Sequence, residues 1–256
     1  MITVPELAAD ALGSFLSSDM QQRFGSSNAR LTELVPYVAR LALECIGNSD
    51  ALYHNVEHTM LVTLAGRDIL RGRALLAPTK ATDYAHLIVA CLLHDIGYVR
   101  GILKDDHAEG YVVDAAGGRV KLPRGASDAA LLTHHVDRSI LFVLDRIEPI
   151  ELLDAKRIAR AVECTRFPVS IPPEHEEIEE EGALLRAADL IGQLGYGSPA
   201  DLVDRYPQFY WNSVSPRIET AIRYLNVTAS GRQWIANLYS NVFRAERDVS
   251  LSGLHH

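Results

Sequence analysis

Apolar residues recur at steps of three and four positions through most of this 256-residue chain, the spacing of one face of an α-helix. The clearest early stripe runs from Leu31 to Cys45 and is followed by Gly47, a residue type that commonly ends helices. Further helices are predicted at Asn55–Arg71, from the N-cap Thr82 to Gly97, near 150–165, 182–194 and 216–227, and along Trp234–Phe243.

One segment departs from this helical period. Tyr111–Val113 and Val120–Leu122 flank a Gly-Gly turn and predict a short β-hairpin. Ser127 and Asp128 then open a predicted helix that carries His134 and His135. The three prolines of 167–173 and the six glutamates of 174–181 predict surface connections. We therefore predict an all-α fold with a small β-hairpin insertion, in a single domain over residues 1–256.

The charge and cysteine content narrow the partners and the compartment. The chain has 33 acidic and 25 basic residues, a formal net charge of -8, so a nucleic-acid polymer is not an expected partner. No apolar run is long enough for a bilayer, so no membrane association is expected. Cys45, Cys91 and Cys164 form no CxxC pair, and no signal peptide precedes them, which favours a reducing cytoplasm.

Four side chains from three predicted helices form a candidate metal-ligand set. His58 follows His54 by one helical turn, with both on the predicted apolar face, His94 and Asp95 lie at a helix end, and Asp189 is embedded in an apolar segment. Each has a structural alternative: buried histidines that are hydrogen-bonded, an Asp-Gly helix end, or an ion pair of Asp189 with Arg186. Together they form a nitrogen and oxygen set suited to a divalent cation with open positions.

These motifs resemble the HD-domain superfamily of metal-dependent phosphohydrolases. Tyr53-His54-Asn55-Val56-Glu57-His58 looks like the YHNxxH segment of its cyclic-nucleotide phosphodiesterase branch, and Ala187-Ala188-Asp189-Leu190 looks like the segment around the last metal-binding Asp. The resemblance covers about 50–195. It implies an all-α helical bundle and an HD core over that range. The region of about 200–256 falls outside the resemblance and is predicted to be a C-terminal helical extension.

The resemblance also implies roles for individual residues. His58, His94, Asp95 and Asp189 would bind the first metal, and His54 would protonate the leaving oxygen. The branch has a His where Tyr98 or its neighbours stand here, and a Glu where Leu132 stands, so its form of two-metal site does not carry over directly. Extra histidines could serve a second ion, and among His107, His134 and His135 we favour His135.

The expected function is metal-dependent hydrolysis of a phosphodiester in a small nucleotide-like substrate, by metal-activated water with His54 as proton donor and Asp95 in the catalytic set. Arg100, Lys104 and Arg138 are the candidate phosphate-binding residues. The cofactor is expected to be one or two ions of Mn²⁺, Fe²⁺, Mg²⁺ or Zn²⁺.

Three alternatives stay open at this point: a nucleotide phosphomonoesterase, a pyrophosphohydrolase, and an inactive metal-binding regulatory module. Gln193 and Gln233 are candidates, by elimination only, for the glutamine that would recognise a purine base of the substrate. An exposed remnant of the aromatic stripe near the C-terminus would suit a homodimer.

Overall fold

The computed structural model describes residues 3–166 and 180–194, and within these ranges the chain is mostly helical. This confirms the all-α prediction. The α-helices are α1 (Val4–Phe24), α2 (Ala29–Ile46), α3 (Val56–Ala74), α4 (Ala81–Leu93), α5 (His135–Arg146), α6 (Ala155–Glu163) and α7 (Glu180–Leu194). Short 3₁₀ helices lie at Ser26–Asn28, Ile96–Tyr98 and Asp128–Leu131.

The predicted hairpin is present and is shorter than its sequence pattern indicated. Strand β1 (Tyr111–Val112) pairs antiparallel with β2 (Arg119–Val120), with Tyr111 opposite Val120. Asp114 holds the turn, because its carboxylate accepts the amides of Ala116 and Gly118 at 2.9 and 2.8 Å. Strand β1 ends just before this turn. Strand β2 ends at Val120, so the predicted strand residues Lys121 and Leu122 are not part of it.

The N-terminal helix α1 was not predicted from the apolar pattern. Its start is specified by a capping box: Thr3 Oγ1 accepts the Glu6 amide at 3.3 Å, and the Glu6 carboxylate accepts the Thr3 amide at 2.7 Å. Leu12 and Leu16 of this helix are buried, and α1 packs along α2.

Two helices have boundaries that differ from those predicted. Helix α4 begins at Ala81, before the expected N-cap Thr82, and ends at Leu93 rather than Gly97, since the chain tightens into the 3₁₀ helix Ile96–Tyr98. The helix predicted to begin at Ser127 is divided into a 3₁₀ helix and α5, which starts only at His135.

Helix α4 forms the centre of the bundle. Every residue from Tyr84 to Leu93 is buried, and the helix contacts α2, α3, α6 and α7. A helix surrounded in this way has no polar face, which explains its continuous apolar run. Because α4 ends inside the protein, the residues that follow Leu93 lie in the interior.

Some predictions fall outside the described residues: the helices near 216–227 and along Trp234–Phe243, the prolines of 167–173, and most of the acidic segment 174–181. Among the helices of 3–166 and 180–194, none combines the length and the apolarity needed to cross a bilayer.

Candidate metal centre

The start of α3 places His54 and His58 differently from the sequence interpretation. His54 precedes the helix, whereas His58 lies in its first turn; the predicted shared helical face was therefore wrong. Asn55 is the N-cap, and its side-chain oxygen accepts the His58 amide at 3.1 Å. Both imidazoles nevertheless reach the same carboxylate, Asp95, one from a turn and one from a helix.

The C-terminal end of α4 supplies His94 and Asp95, as predicted. His94 is the C-cap, and Asp95 precedes the 3₁₀ helix Ile96–Tyr98. The side chains are 1% and 6% exposed, so both groups lie in the interior. The carbonyl end of a helix favours positive charge, which suits a cation at this position.

Helix α7 brings Asp189 to the same point from almost 100 residues further along the chain. The Nε of Arg186 on this helix donates to the carbonyl of Cys164. Asp189 Oδ1 lies 3.4 Å from His58 Nε2 and 3.7 Å from His94 Nε2. Asp189 therefore faces the two buried imidazoles.

The four predicted ligands surround one point. Asp95 Oδ2 lies 3.3 Å from His58 Nε2 and 3.2 Å from His94 Nε2, so each imidazole nitrogen faces both carboxylates. Ligand bonds of about 2.1 Å place neighbouring ligand atoms about 3.0–3.4 Å apart in octahedral or tetrahedral shells. Two overlapping groups satisfy the spacing for an ion: His54, His58 and Asp95, and His58, His94 and Asp189.

The imidazole nitrogens are oriented as metal ligands are. His94 Nδ1 lies 2.8 Å from the Cys91 carbonyl, which makes that nitrogen the donor and leaves Nε2 as the nitrogen that would bind an ion once deprotonated. Among the described residues, no hydrogen bond reaches His94 Nε2 or either ring nitrogen of His58, although all three are buried. Buried nitrogens in this state are rare unless an ion or a proton satisfies them.

The charges of the buried carboxylates also favour a positively charged partner. Burial alone would raise the pKa of Asp95, but His94 and His54 outweigh it and hold that pKa well below its usual range. Asp189 responds in the same way, through His58 and His94. Conversely, burial would lower the pKa of both histidines, but the two carboxylates raise it. The carboxylates are thus stabilised by protons on the imidazoles or by a cation.

His135 lies beside this set, on the other oxygen of Asp95. Its Nε2 is 3.6 Å from Asp95 Oδ1, while its Nδ1 is 2.6 Å from the Leu132 carbonyl. Burial lowers the pKa of His135, which favours the neutral imidazole that a metal requires. His134 is the N-cap of α5, and His107 accepts the Glu109 amide at 3.3 Å in the turn before β1.

The predicted phosphate-binding residues do not gather at this site. Arg138 is fully buried, and its guanidinium is bound to Asp106 at 2.8 and 3.0 Å, so its assignment to substrate binding disagrees with its position. Arg100 donates to the carboxylates of Asp128 and Asp50. Lys104 is exposed.

Tyr98 is a site residue whose role the sequence did not reveal. Its ring is 1% exposed and lies nearly parallel to two imidazoles, with centroid separations of 4.1 Å to His54 and 4.4 Å to His135. Its position directly after His94-Asp95-Ile96-Gly97 was the available signal.

The fold and the site define a mostly helical protein with a buried histidine and aspartate cluster that could hold a metal ion. A family model described as Npun_R2479-like matches residues 2–195 and, in a second segment, 193–248; the chain belongs to that family. No curated protein and no solved structure matches the chain.

Proposed function

We propose that this protein is a metal-dependent phosphohydrolase of the HD-domain type that cleaves a phosphodiester in a small nucleotide-like substrate. The observation that carries the proposal is the arrangement of His58, His94, Asp95 and Asp189, whose facing atoms lie 3.2–3.7 Å apart. Side chains from α3, from the end of α4 and from α7 converge on this point, and His54 and His135 lie beside it.

The ligand set suits a catalytic ion better than a purely structural one. Two neutral imidazoles and two carboxylates carry a charge that one divalent cation would balance, and oxygen ligands leave room for more than four positions. A bound ion of this kind would act as a Lewis acid and lower the pKa of a water molecule.

His54 is the proposed proton donor. Its Nδ1 lies 2.8 Å from Asp95 Oδ2, so Nε2 is the ring nitrogen that this carboxylate does not engage. The side chain is 22% exposed, more than any of the four proposed ligands. An imidazole held by a carboxylate on one side can donate a proton to the leaving oxygen from the other.

Asp95 has a double role in this scheme. One oxygen, Oδ2, faces His54, His58 and His94, while Oδ1 faces His135. The carboxylate therefore connects the proposed ion-binding quartet to the two outer histidines. With His135 and Asp95 as ligands, the same pocket would accommodate a second ion, so one or two ions of Mn²⁺, Fe²⁺, Mg²⁺ or Zn²⁺ are proposed.

The engaged arginines favour a diester over more highly charged substrates. Arg100 and Arg138 are both bound to carboxylates, so in the described ranges two of the three expected phosphate-binding groups are neutralised within the protein. A phosphodiester carries one negative charge and needs less compensation than a monoester dianion. Lys104, which is exposed, remains the candidate for additional binding.

The test uses chelator-treated protein resupplied separately with Mn²⁺, Fe²⁺, Mg²⁺ or Zn²⁺. Hydrolysis of bis(p-nitrophenyl) phosphate is compared with hydrolysis of p-nitrophenyl phosphate, in the wild type, in Asp95→Ala and in the exposed control Asp68→Ala. We expect ion-dependent turnover, a preference for the diester, and loss of turnover only in Asp95→Ala.

Other results select among the alternatives. Preference for p-nitrophenyl phosphate would favour a phosphomonoesterase. Stoichiometric ion binding without turnover of either ester would favour a regulatory module, an alternative that the neutralised arginines also support. Absence of ion binding would contradict the proposal at its base. A small phosphorylated molecule as partner, a homodimer and a cytoplasmic location complete the proposed description.

A further inference from the structure

The ring of Tyr98 lies against the two histidines that flank the proposed ion-binding quartet. Its plane makes angles of 19° with His54 and 15° with His135, and the two imidazole centroids are 6.1 Å apart. These histidines come from different parts of the chain, one from the turn before α3 and the other from the first residue of α5. Tyr98 is thus a shared contact of both.

The backbone around Tyr98 is fixed on both sides by one buried side chain. Arg138 Nε donates to the Gly97 carbonyl at 2.7 Å, and its Nη2 donates to the Val99 carbonyl at 2.9 Å. The Gly97 amide donates to Ser139 Oγ at 2.9 Å. The residues before and after Tyr98 are therefore both attached to α5, the helix that begins with His135.

The guanidinium that makes these bonds is itself immobilised. Asp106 accepts Arg138 Nη1 at 3.0 Å and Nη2 at 2.8 Å, and the same carboxylate accepts the amides of Gly101, Leu103 and Val112. A bidentate pair with this many additional bonds allows little movement. The backbone that carries the Tyr98 ring is consequently held rigidly.

The side-chain hydrogen bonds of His54 and His135 to Asp95 and to the Leu132 carbonyl constrain their ring planes less. His54 bonds through Nδ1 to Asp95, and His135 bonds through Nδ1 to the Leu132 carbonyl. A single hydrogen bond fixes one ring atom but permits the plane to turn about that contact. A flat aromatic face against the ring restricts that motion.

From this geometry we propose that Tyr98 is a positioning residue, which holds the ring planes of His54 and His135 in the orientation that lets both address Asp95 and a substrate. This inference rests on the proposed function for its effect on turnover. Its effect on the two histidines does not depend on that function.

The test compares Tyr98→Phe, which keeps the ring, with Tyr98→Leu and Tyr98→Met, which remove it. Met refills the space with a flexible side chain, so the result does not depend on one core substitution. For bis(p-nitrophenyl) phosphate we expect the Leu and Met variants to lose about 10- to 100-fold in kcat, the effect of misplacing a reacting group, with little change in KM. Tyr98→Phe should retain most of the wild-type kcat.

A second readout is independent of turnover. The rates of modification of His54 and His135 by diethyl pyrocarbonate are followed by peptide mass spectrometry, with exposed His107 as the internal reference. We expect both rates to rise severalfold in the Leu and Met variants and to stay near the wild-type rates in Tyr98→Phe.

The two readouts separate failure of this inference from failure of the proposed function. Wild-type modification rates in Tyr98→Leu and Tyr98→Met would overturn the positioning role, whatever the activity. Faster modification in a protein that hydrolyses no phosphoester would support the positioning role and reject the proposed reaction. Equal damage by Phe and Leu would also overturn the inference, since the ring would not be the determining feature.

Discussion

At the scale of single residues, the buried nitrogens of His58 and His94 are the feature that needs a physical explanation. Leaving a buried polar atom without a partner costs about 1–3 kcal/mol, and three such atoms occur together within the described part of the chain. Because carboxylates lie nearby, these nitrogens gain a partner in one of two ways: the rings are protonated, or a divalent cation binds. A cation would satisfy His58 Nε2, His94 Nε2 and both carboxylates at once, whereas His58 Nδ1, on another edge of the same ring, would not be a ligand of that ion.

Divalent ions should therefore stabilise the protein, and Asp189 should be required for that effect. In chelator-treated wild type, adding Mn²⁺ or Zn²⁺ to roughly 100-fold above its Kd should add about 2.7 kcal/mol to the free energy of unfolding. Asp189→Asn should lose this gain at the same ion concentration, whereas Asp68→Asn, at a side chain that is 58% exposed on α3, should keep it. Thermal unfolding with and without ion measures both. Equal responses of the two variants would contradict the assignment.

Ion binding should also release protons. The neighbouring carboxylates raise the pKa of His58 and His94 despite burial, so without an ion these imidazoles hold protons that a cation must displace. Affinity should therefore fall as pH decreases and rise until the imidazoles are deprotonated. Calorimetric titrations at pH 7 in buffers of different ionisation enthalpy should show release of about one proton or more. A binding enthalpy that is the same in every buffer would argue against displacement.

The residues that could be predicted from sequence are those whose chemistry is unusual for their surroundings. Asp189 in an apolar segment and His94-Asp95 after an apolar run stand out without any structure. Arg138 and Tyr98 do not, because an arginine or a tyrosine on a helical pattern has many ordinary uses. Arg138 acts through Gly97 and Asp106, and Tyr98 through His54 and His135. These partners are all more than 30 residues away in the chain, and only the fold brings them together.

At the scale of elements, the approach of the 3₁₀ helix Ile96–Tyr98 to α5 depends on Gly97. A Cβ at this position would overlap the His135 carbonyl and lie 2.7 Å from the Ser139 amide nitrogen and 2.8 Å from the Arg138 Cβ. Two of these neighbours are backbone atoms, so relief would require the elements to separate. The spacing between Asp95 and His135 is set by this contact.

Gly97→Ala should therefore destabilise the protein by about 3 kcal/mol, the upper range for overpacking. Gly72→Ala provides a matched control, because the space around Gly72 is open and the residue lies inside α3. There the added methyl should stabilise by about 0.5–1 kcal/mol through helix propensity. Urea unfolding of the two variants measures the difference. Similar stabilities for both would show that the close approach is not required.

Arg138 joins the hairpin and the 3₁₀ helix Ile96–Tyr98 to α5. Arg138→Leu leaves the carboxylate of Asp106 buried without its partner, and such losses cost about 3–5 kcal/mol. Arg146→Leu, on the same helix but 55% exposed, should change stability by less than about 1 kcal/mol. Chemical unfolding distinguishes this structural role from substrate binding: a stable Arg138→Leu with a raised KM alone would restore the original assignment.

Helices were predicted correctly where the apolar stripe was continuous. They were missed where the buried and exposed faces are less distinct in the sequence. The stripe from Leu31 to Cys45 corresponds closely to α2. Helix α1 was missed because it also exposes large apolar residues, Leu7 and Phe15, so its buried and solvent faces are less distinct in sequence. Its capping box was the signal that a search for helix starts would have found.

At the scale of the whole molecule, ion pairs between helices determine how the site is assembled. Arg157 on α6 binds Glu181 at the start of α7 and Asp83 on α4, at 2.6 and 2.9 Å. This holds α7, which carries Asp189, against α4, which ends just before His94. The sequence indicated only that Glu181 belonged to a solvated acidic run; its side chain is 12% exposed in this pair.

Asp19 makes a comparable connection between other helices. Its carboxylate lies 2.8 Å from Tyr84 Oη, 2.8 Å from Arg23 Nε and 2.5 Å from Arg67 Nη2, joining α1, α3 and α4. Burial would raise the pKa of Asp19, but the hydrogen bonds from Arg67, Tyr84 and Arg23 lower it overall. A carboxyl with a lowered folded-state pKa contributes stability above its unfolded pKa and loses it as pH falls through the folded value.

Asp19→Asn should therefore destabilise the protein most near neutral pH, by about 2–3 kcal/mol, because two arginines and a tyrosine lose their charged acceptor. The difference from wild type should be constant above about pH 5 and shrink below about pH 4, as Asp19 itself becomes protonated. Asp10→Asn, whose side chain is 68% exposed beside Arg40, should show a small difference that varies little with pH. Free energies of unfolding in guanidinium chloride, measured from pH 3 to pH 7, test this. If the difference in unfolding free energy between wild type and Asp19→Asn stays unchanged down to pH 3, the amide destabilises the protein through its packing or hydrogen bonding and not through the loss of charge.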